Sequence, residues 1–144
     1  MKMNTTETEE YFLNRFKSKT PKAKCKDIFD CFLAYGRALD KAGQTSSKKQ
    51  LEKLDDTAEI NFRLACKELS MLSEGELTIY LNYLKDHMMK DCANASEMQM
   101  LGTRMEYSRL LRHIPKNLNP DQQSIYDDIQ AMILNYYVKI DKEM

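Results

Sequence analysis

Small polar residues precede helix-periodic apolar runs at six points of this chain, and at five of them Glu or Gln follows three positions later. A side chain of this kind caps a helix by accepting a hydrogen bond from an unpaired backbone N–H, and the Glu or Gln bonds back to the cap. The five pairs are Thr6/Glu9, Ser47/Gln50, Ser73/Glu76, Asn94/Glu97 and Asn119/Gln122, and the sixth start is Thr20 before Pro21. These capping patterns predict successive helices with short connections.

The apolar periodicity between these signals predicts helices at 7–19, 21–42, 48–71, 74–91, 95–114 and 120–142. Asp56 and Glu59 form another capping pair that could split the third helix, although one long helix is preferred. Connections of about one to six residues make sequential helices antiparallel neighbours. We therefore predict an all-α fold, an up-and-down bundle of five to six helices. It forms a single domain over residues 1–144, with residues 1–5 disordered.

Three segments are unusually apolar or rich in methionine. Helices 2 and 6 are apolar almost all round, over 28–35 and 131–138, which is typical of a helix buried on more than one side. In helix 5, Met98, Leu101, Met105 and either Leu110 or Leu111 are expected to face the core. Five of the ten methionines lie between Met88 and Met105. We interpret them as packing between helices 4 and 5, with an adaptable binding groove as the alternative.

The overall charge and the cysteines limit the class of protein. Twenty-two basic residues balance twenty-two acidic ones, whereas a generic nucleic-acid coat protein is plainly basic. No apolar run approaches the roughly 20 residues of a membrane-spanning helix, so no membrane association is expected. Residues 1–10 lack the apolar region of a secretory signal. The cysteines, none in a CxxC pair, are expected to be buried and reduced, which favours a cytoplasmic location: Cys25, Cys31, Cys66 and Cys92.

The start of helix 2 carries the most unusual charge pattern. Six basic residues and no acidic residue fall in the segment 15–26, hereafter the basic segment: Arg15, Lys17, Lys19, Lys22, Lys24 and Lys26. Lysines in a first helical turn oppose the helix dipole, and helices 1, 4, 5 and 6 place Asp or Glu there instead. The segment is a candidate patch for phosphate, nucleic acid or an acidic protein. The alternative is a solvated face, or pairing with Asp55, Asp56, Asp127 and Asp128.

No residue pattern points to catalysis, a cofactor or a metal. His87 and Asp91 lie four apart and could form an ion pair. No glycine-rich phosphate loop, GxSxG elbow, HExxH or Glu-x-x-His pair is present. An enzyme would need a site assembled from scattered residues such as His113, Arg109 and Tyr107. We therefore predict no catalytic, cofactor-binding or metal-binding residues.

The leading functional prediction is a small non-enzymatic interaction or regulatory protein that binds another protein, as a homodimer through helices 2 and 6. The candidate partner or oligomer surface consists of Tyr136, Tyr137 and Val138. A Tyr ring can bury apolar area in a contact while its hydroxyl remains hydrated. The alternative is a nucleic-acid-associated accessory protein that uses the basic segment. An enzyme is the third hypothesis.

Overall fold

The structure is a computed structural model that describes the backbone of residues 5–93 and 96–143 and the side chains of 7–93, 96, 99 and 101–134. The described residues form six helices: α1 (Thr5–Lys17), α2 (Pro21–Ala42), α3 (Lys48–Ser70), α4 (Glu74–Ala93), α5 (Glu97–Leu111) and α6 (Pro120–Glu143). The prediction of an all-α helical bundle is confirmed. The third helix continues unbroken through Asp55–Thr57.

The first of two compact units contains α1, α2 and α3 and spans Met1–Ser73. In this unit α2 and α1 each pack on α3. The apolar middle of α2 is largely buried, and the Tyr35 ring contacts the Phe62 ring of α3 with centroids 4.9 Å apart. The core side chains of the unit include Phe16, Cys25, Ile28, Phe29, Phe32, Leu64, Ala65 and Leu69. Burial within unit 1 therefore accounts for much of the apolar surface predicted on α2.

The second compact unit spans Glu74–Met144, and in it α4, α5 and α6 pack against one another in every pairing. Its core side chains include Tyr80, Leu81, Leu84, Met88, Tyr107, Leu110, Leu111, Ile129 and Ile133. The Tyr107 hydroxyl of α5 donates a hydrogen bond to the Asp91 carboxylate of α4 at 2.8 Å. This bond ties α5 to α4 on the face of α5 that points inward.

Three of the predicted caps accept the expected backbone bond, but Gln50 does not bond back to Ser47: the Ser47 N–H donates to Thr45 Oγ1, and Gln50 Oε1 accepts from the Thr45 hydroxyl. Thr20 and Ser47 accept from the backbone N–H three residues on, at 3.2 and 3.3 Å. Asn119 and Gln122 bond to each other's backbone N–H in both directions, at 2.8 and 3.1 Å. Because Asn119 and Gln122 satisfy two orphan donors at once, they hold the start of α6 firmly.

Two predicted helix starts differ from the structure. Thr6 lies inside α1, which already begins at Thr5; of the residues expected to be disordered, 1–4 lie outside the described part. Helix α5 begins after Ser96, whose capping box with Gln99 closes at 3.3 and 2.9 Å, and Asn94 lies outside the described residues. The sequence contains two overlapping capping patterns here, Asn94/Glu97 and Ser96/Gln99. The later pair forms the capping box.

The inward face predicted for α5 is wrong at two positions. Leu101 and Met105 were expected in the core, yet they are 40% and 57% exposed. Leu110 and Leu111 are buried, as predicted for one of them, and Tyr107 is buried with them. The Met98 side chain lies outside the described residues. The helix has apolar residues on two faces, and the bond from Tyr107 to Asp91 is satisfied only when the Tyr107 face points inward. None of the helices, as far as the structure describes them, is long and apolar enough to cross a bilayer.

Candidate functional site

A groove of about 480 Å³ opens between α5 and α6 in the second unit. Its lining residues are Ser108, Leu111, Arg112, Tyr126, Gln130, Ile133 and Leu134. Leu111 and Ile133 are buried and form an apolar floor, whereas Leu134 is 60% exposed. A groove with an apolar floor and a few polar groups at its edge suits an apolar side chain or helix better than a charged small molecule.

An apolar ridge on α5 leads into this groove. Leu101, Met105, Ser108 and Arg112 follow one another at intervals of three and four residues, which places them along one helix face. Ser108 and Arg112 line the groove, and the ridge residues Leu101 and Met105 are exposed. We call the ridge, Leu134 and the groove together the α5/α6 surface. It gathers exposed apolar side chains around an apolar groove on one side of the unit.

The α5/α6 surface has a definite charge character. Among the residues that line the groove, Arg112 is charged and no carboxylate is present. Arg112 is exposed, so its guanidinium remains hydrated in the absence of a partner. A ligand for this surface is therefore expected to combine an apolar segment with an anionic group near Arg112.

The predicted partner surface at the end of α6 is only partly described. Tyr136, Tyr137 and Val138 lie in α6 directly after Leu134, and their side chains fall outside the described residues. They lie two to four positions after Leu134, so they continue along the helix that forms one wall of the groove. The prediction for these residues stays a prediction.

The structure places the basic segment in unit 1 and pairs several of its cations locally. Lys19 lies 3.2 Å from the Asp27 carboxylate, and Lys26 lies 2.7 Å from Asp30. The Arg15 guanidinium lies 5.6 Å from the centre of the Tyr11 ring, and the Lys24 ammonium lies at the same distance from the Phe16 ring. The acidic partners found at these two lysines are therefore Asp27 and Asp30, both on α2.

The lysine-rich start of α2 is also less distinctive than the sequence pattern indicated. Helix α3 likewise begins with lysines, Lys48 and Lys49, and has no acidic residue in its first turn. Lys17 and Lys22 of the basic segment are exposed, whereas Lys19 and Lys24 are half-buried. The charge pattern at Thr20 and Pro21 therefore does not by itself mark a binding site.

Unit 1 contains a buried carboxylate that the sequence analysis did not single out. The Glu9 side chain, only 5% exposed, lies 3.2 Å from the Arg63 guanidinium and 2.8 Å from the Lys67 ammonium of α3. The hydrogen bond from Lys67 and the charges of Arg63 and Lys67 lower the pKa of Glu9, although burial opposes them. Glu9 thus joins α1 to α3 as an ion.

A second buried acid, Glu68, lies between α3 and α2. Glu68 is 1% exposed, and its buried Oε2 atom has no hydrogen-bond partner among the described residues. Burial raises the pKa of Glu68 to about 8, and the neighbouring Asp27 adds to this shift. A signal for Glu68 was present in the sequence, because it stands three residues after Ala65 and next to Leu69 on the face that packs in the core.

The histidines and cysteines do not assemble into a reactive site. The His87 ring stacks on Tyr83 with centroids 4.0 Å apart, and its Nδ1 lies 3.0 Å from the Tyr83 carbonyl oxygen. The carboxylate predicted to pair with His87, Asp91, accepts the Tyr107 hydroxyl bond instead. Burial raises the pKa of the half-buried Cys31 thiol to about 12, which keeps it protonated and unreactive at neutral pH.

Two of the residues suggested for an enzyme site, Tyr107 and His113, have different environments in the structure. Tyr107 is fully buried, and burial together with Asp91 raises the pKa of its hydroxyl. Burial lowers the pKa of His113, and the charge of Arg112 acts in the same direction. Within the described side chains, no group of three His, Cys, Asp or Glu residues is arranged to hold a metal ion.

Comparison of the chain with protein-family models, with characterised proteins and with solved structures finds no match. The α5/α6 surface combines exposed apolar side chains with an apolar groove in the described part of unit 2.

Proposed function

We propose that this chain is a protein-interaction module and that the α5/α6 surface is its contact surface, occupied by a second copy of the same chain. The proposal rests on two large apolar side chains that are exposed to solvent beside an apolar groove. Met105 is 57% exposed and Leu134 is 60% exposed. Large apolar side chains gathered around a groove mark protein contacts more often than scattered ones do. Exposed methionine also suits such a surface, since its flexible thioether adapts to the surface it meets.

A second copy fits the shape of this surface. Contacts related by a two-fold axis use the same patch twice, so a patch must complement itself. The α5/α6 surface offers both a ridge, Leu101 and Met105, and a groove next to it. In a symmetric pair, each ridge enters the groove of the other copy, and both sets of apolar side chains leave water together.

A second copy also fits the charges. Asp127 is exposed on α6 and directly follows the lining residue Tyr126, so each copy brings a carboxylate to the edge of the surface. That carboxylate accepts a hydrogen bond from Gln123 at one oxygen, and in the proposed dimer its exposed side chain also meets the Arg112 guanidinium of the other copy. The formal net charge of the chain is zero, so two copies approach without long-range repulsion.

The test is the mass of the full chain in solution, measured by size-exclusion chromatography with light scattering over micromolar concentrations. The wild type is expected at twice its 16.9 kDa chain mass. Met105→Lys and Leu134→Lys are each expected to shift the species to the single-chain mass, because a lysine at the centre of an apolar contact must lose its hydration there.

Met89→Lys is the matched control. Met89 is the same residue type in the same unit, is 53% exposed on α4, and lies outside the groove lining. It should leave the dimer intact. A wild-type chain that stays at 16.9 kDa throughout would overturn the proposal, as would equal effects of the Met105 and Met89 substitutions.

Nucleic-acid binding by the basic segment is the alternative function, and the exposed Lys17 and Lys22 favour it. It predicts binding to labelled DNA or RNA that weakens steeply as salt increases. Lys17→Glu with Lys22→Glu should weaken that binding further, whereas Lys48→Glu with Lys49→Glu at the start of α3 serves as the control. Fluorescence anisotropy of the labelled DNA or RNA measures this binding. Absence of binding at low salt would contradict the alternative function.

A further inference from the structure

We propose that the groove of the α5/α6 surface binds a single-chain amphiphilic carboxylate, a free fatty acid of medium length, and that this ligand competes with the second copy of the chain. The binding depends on the groove alone. The competition rests on the proposed function, because it requires a second copy on the same surface.

The groove changes from polar to apolar along its length. Tyr126 and Leu134 both line it and lie eight positions apart on α6, which places them about 12 Å apart along the helix axis. The connection 112–119 between α5 and α6 is short, so the two helices are antiparallel neighbours and Arg112 lies beside the start of α6. Arg112 and Tyr126 therefore form the polar end of the groove, and Leu134 lies at the apolar end.

The polar end offers hydrogen-bond donors to an anion. Arg112 is exposed, and its guanidinium forms no ion pair with the described residues. The Tyr126 hydroxyl oxygen accepts a hydrogen bond from the Gln130 amide at 3.2 Å, so the hydroxyl hydrogen remains available for donation. A guanidinium fork and a hydroxyl together suit the two oxygens of a carboxylate.

The rest of the groove requires an apolar chain on the same ligand. Leu111 and Ile133 form a buried floor, and a small ion bound at Arg112 would leave this floor in contact with water. An acyl chain covers the floor, and each methylene that it buries fully strengthens binding about fourfold. The groove volume of about 480 Å³ lies within the range of small-molecule sites.

The same chemistry makes the ligand a competitor of the second copy. In the proposed dimer, the other copy brings its apolar ridge and its Asp127 carboxylate to this surface. A fatty acid carries an apolar chain and a carboxylate on one molecule, so it meets the same floor and the same Arg112 guanidinium. The groove cannot hold both occupants at once.

Binding is tested by nitrogen-15 NMR of the wild-type full chain, titrated with decanoate below its micelle concentration. Chemical shifts should change at the residues that line the groove and not around Met89, which is equally exposed on α4. Decanol, which keeps the chain without the charge, and hexanoate, which keeps the charge on a shorter chain, should each bind at least about tenfold more weakly. Equal affinity for decanoate and decanol, or equal shift changes around Met89, would overturn the proposal.

The role of Arg112 is tested by Arg112→Gln, which should weaken decanoate binding about tenfold because the charged hydrogen bond is lost. Arg109→Gln is the matched control, since Arg109 is the same residue type on α5 and lies outside the groove lining. It should bind decanoate like the wild type. Wild-type affinity in Arg112→Gln would show that the carboxylate does not bind at Arg112.

The competition is tested by light scattering of the wild type with and without saturating decanoate. Decanoate should shift the dimer to the 16.9 kDa single-chain mass. A dimer that keeps its mass in saturating decanoate overturns the competition and leaves the proposed function intact. A wild type at 16.9 kDa without decanoate overturns the proposed function and the competition together, whereas the NMR titration still decides the binding.

Discussion

At the scale of single residues, the buried acids of unit 1 show how surroundings move the pKa of the same side chain in opposite directions. Arg63 and Lys67 lower the pKa of Glu9, whereas burial raises the pKa of Glu68. The sequence places both residues on helices, but it does not reveal which charges the tertiary contacts bring to them. Glu9 lies 58 positions from Lys67, and no local rule connects residues at that distance.

Glu9→Gln should lower the free energy of unfolding at pH 7 by about 1.5–3 kcal/mol, because hydrogen bonds to charged groups are lost from a buried site. Since the pKa of Glu9 is lowered in the folded state, its stabilisation is present above the unfolded value and disappears as the pH falls. The difference between variant and wild type should therefore shrink in acid. Urea unfolding monitored by circular dichroism, at neutral and acidic pH, measures this difference in the free energy of unfolding.

Glu59→Gln is the control for this prediction. Glu59 contacts the same Arg63 guanidinium at 3.8 Å but is 66% exposed. An exposed pair of this kind contributes about 0–1 kcal/mol, so the variant should stay near wild type. If both substitutions cost the same, or if the Glu9 effect is unchanged in acid, Glu9 is not the ionised link between α1 and α3.

At the scale of helices, the capping pattern predicted the number and approximate bounds of the elements well. Caps are local, so Thr20, Ser47 and Asn119 could be assigned from their neighbours in the sequence. The inward face of α5 could not, because that helix has apolar side chains on two faces. The buried face carries Tyr107, Leu110 and Leu111, and the bond from Tyr107 to Asp91 joins it to a different helix.

Ser96→Ala should lower the free energy of unfolding by about 1 kcal/mol, since it removes the cap that accepts from the Gln99 backbone N–H. The first-turn amides of α5 should exchange faster than in the wild type. Ser124→Ala, at an exposed position inside α6, is the control and should cost little. Unchanged protection at the start of α5 would show that Ser96 is not the cap that holds this helix.

At the scale of the whole molecule, two compact units provide different chemistry. Unit 1 buries charged side chains between its helices, whereas unit 2 exposes apolar side chains beside a groove. The sequence predicted a protein-binding role from the absence of catalytic motifs and from the apolar stretches of helices 2 and 6. It did not predict the α5/α6 surface, because exposure of Leu101 and Met105 depends on how α5 packs in three dimensions.

The most direct test of the proposed function is NMR on a mixed sample, in which one copy carries carbon-13-labelled methionine methyl groups and the other is unlabelled. Nuclear Overhauser effects filtered for contacts between copies should link the Met105 methyl of one chain to groove residues of the other, with no such signal from Met89. Absence of contacts from Met105, or equal signals from both methionines, would contradict a second copy seated on the α5/α6 surface.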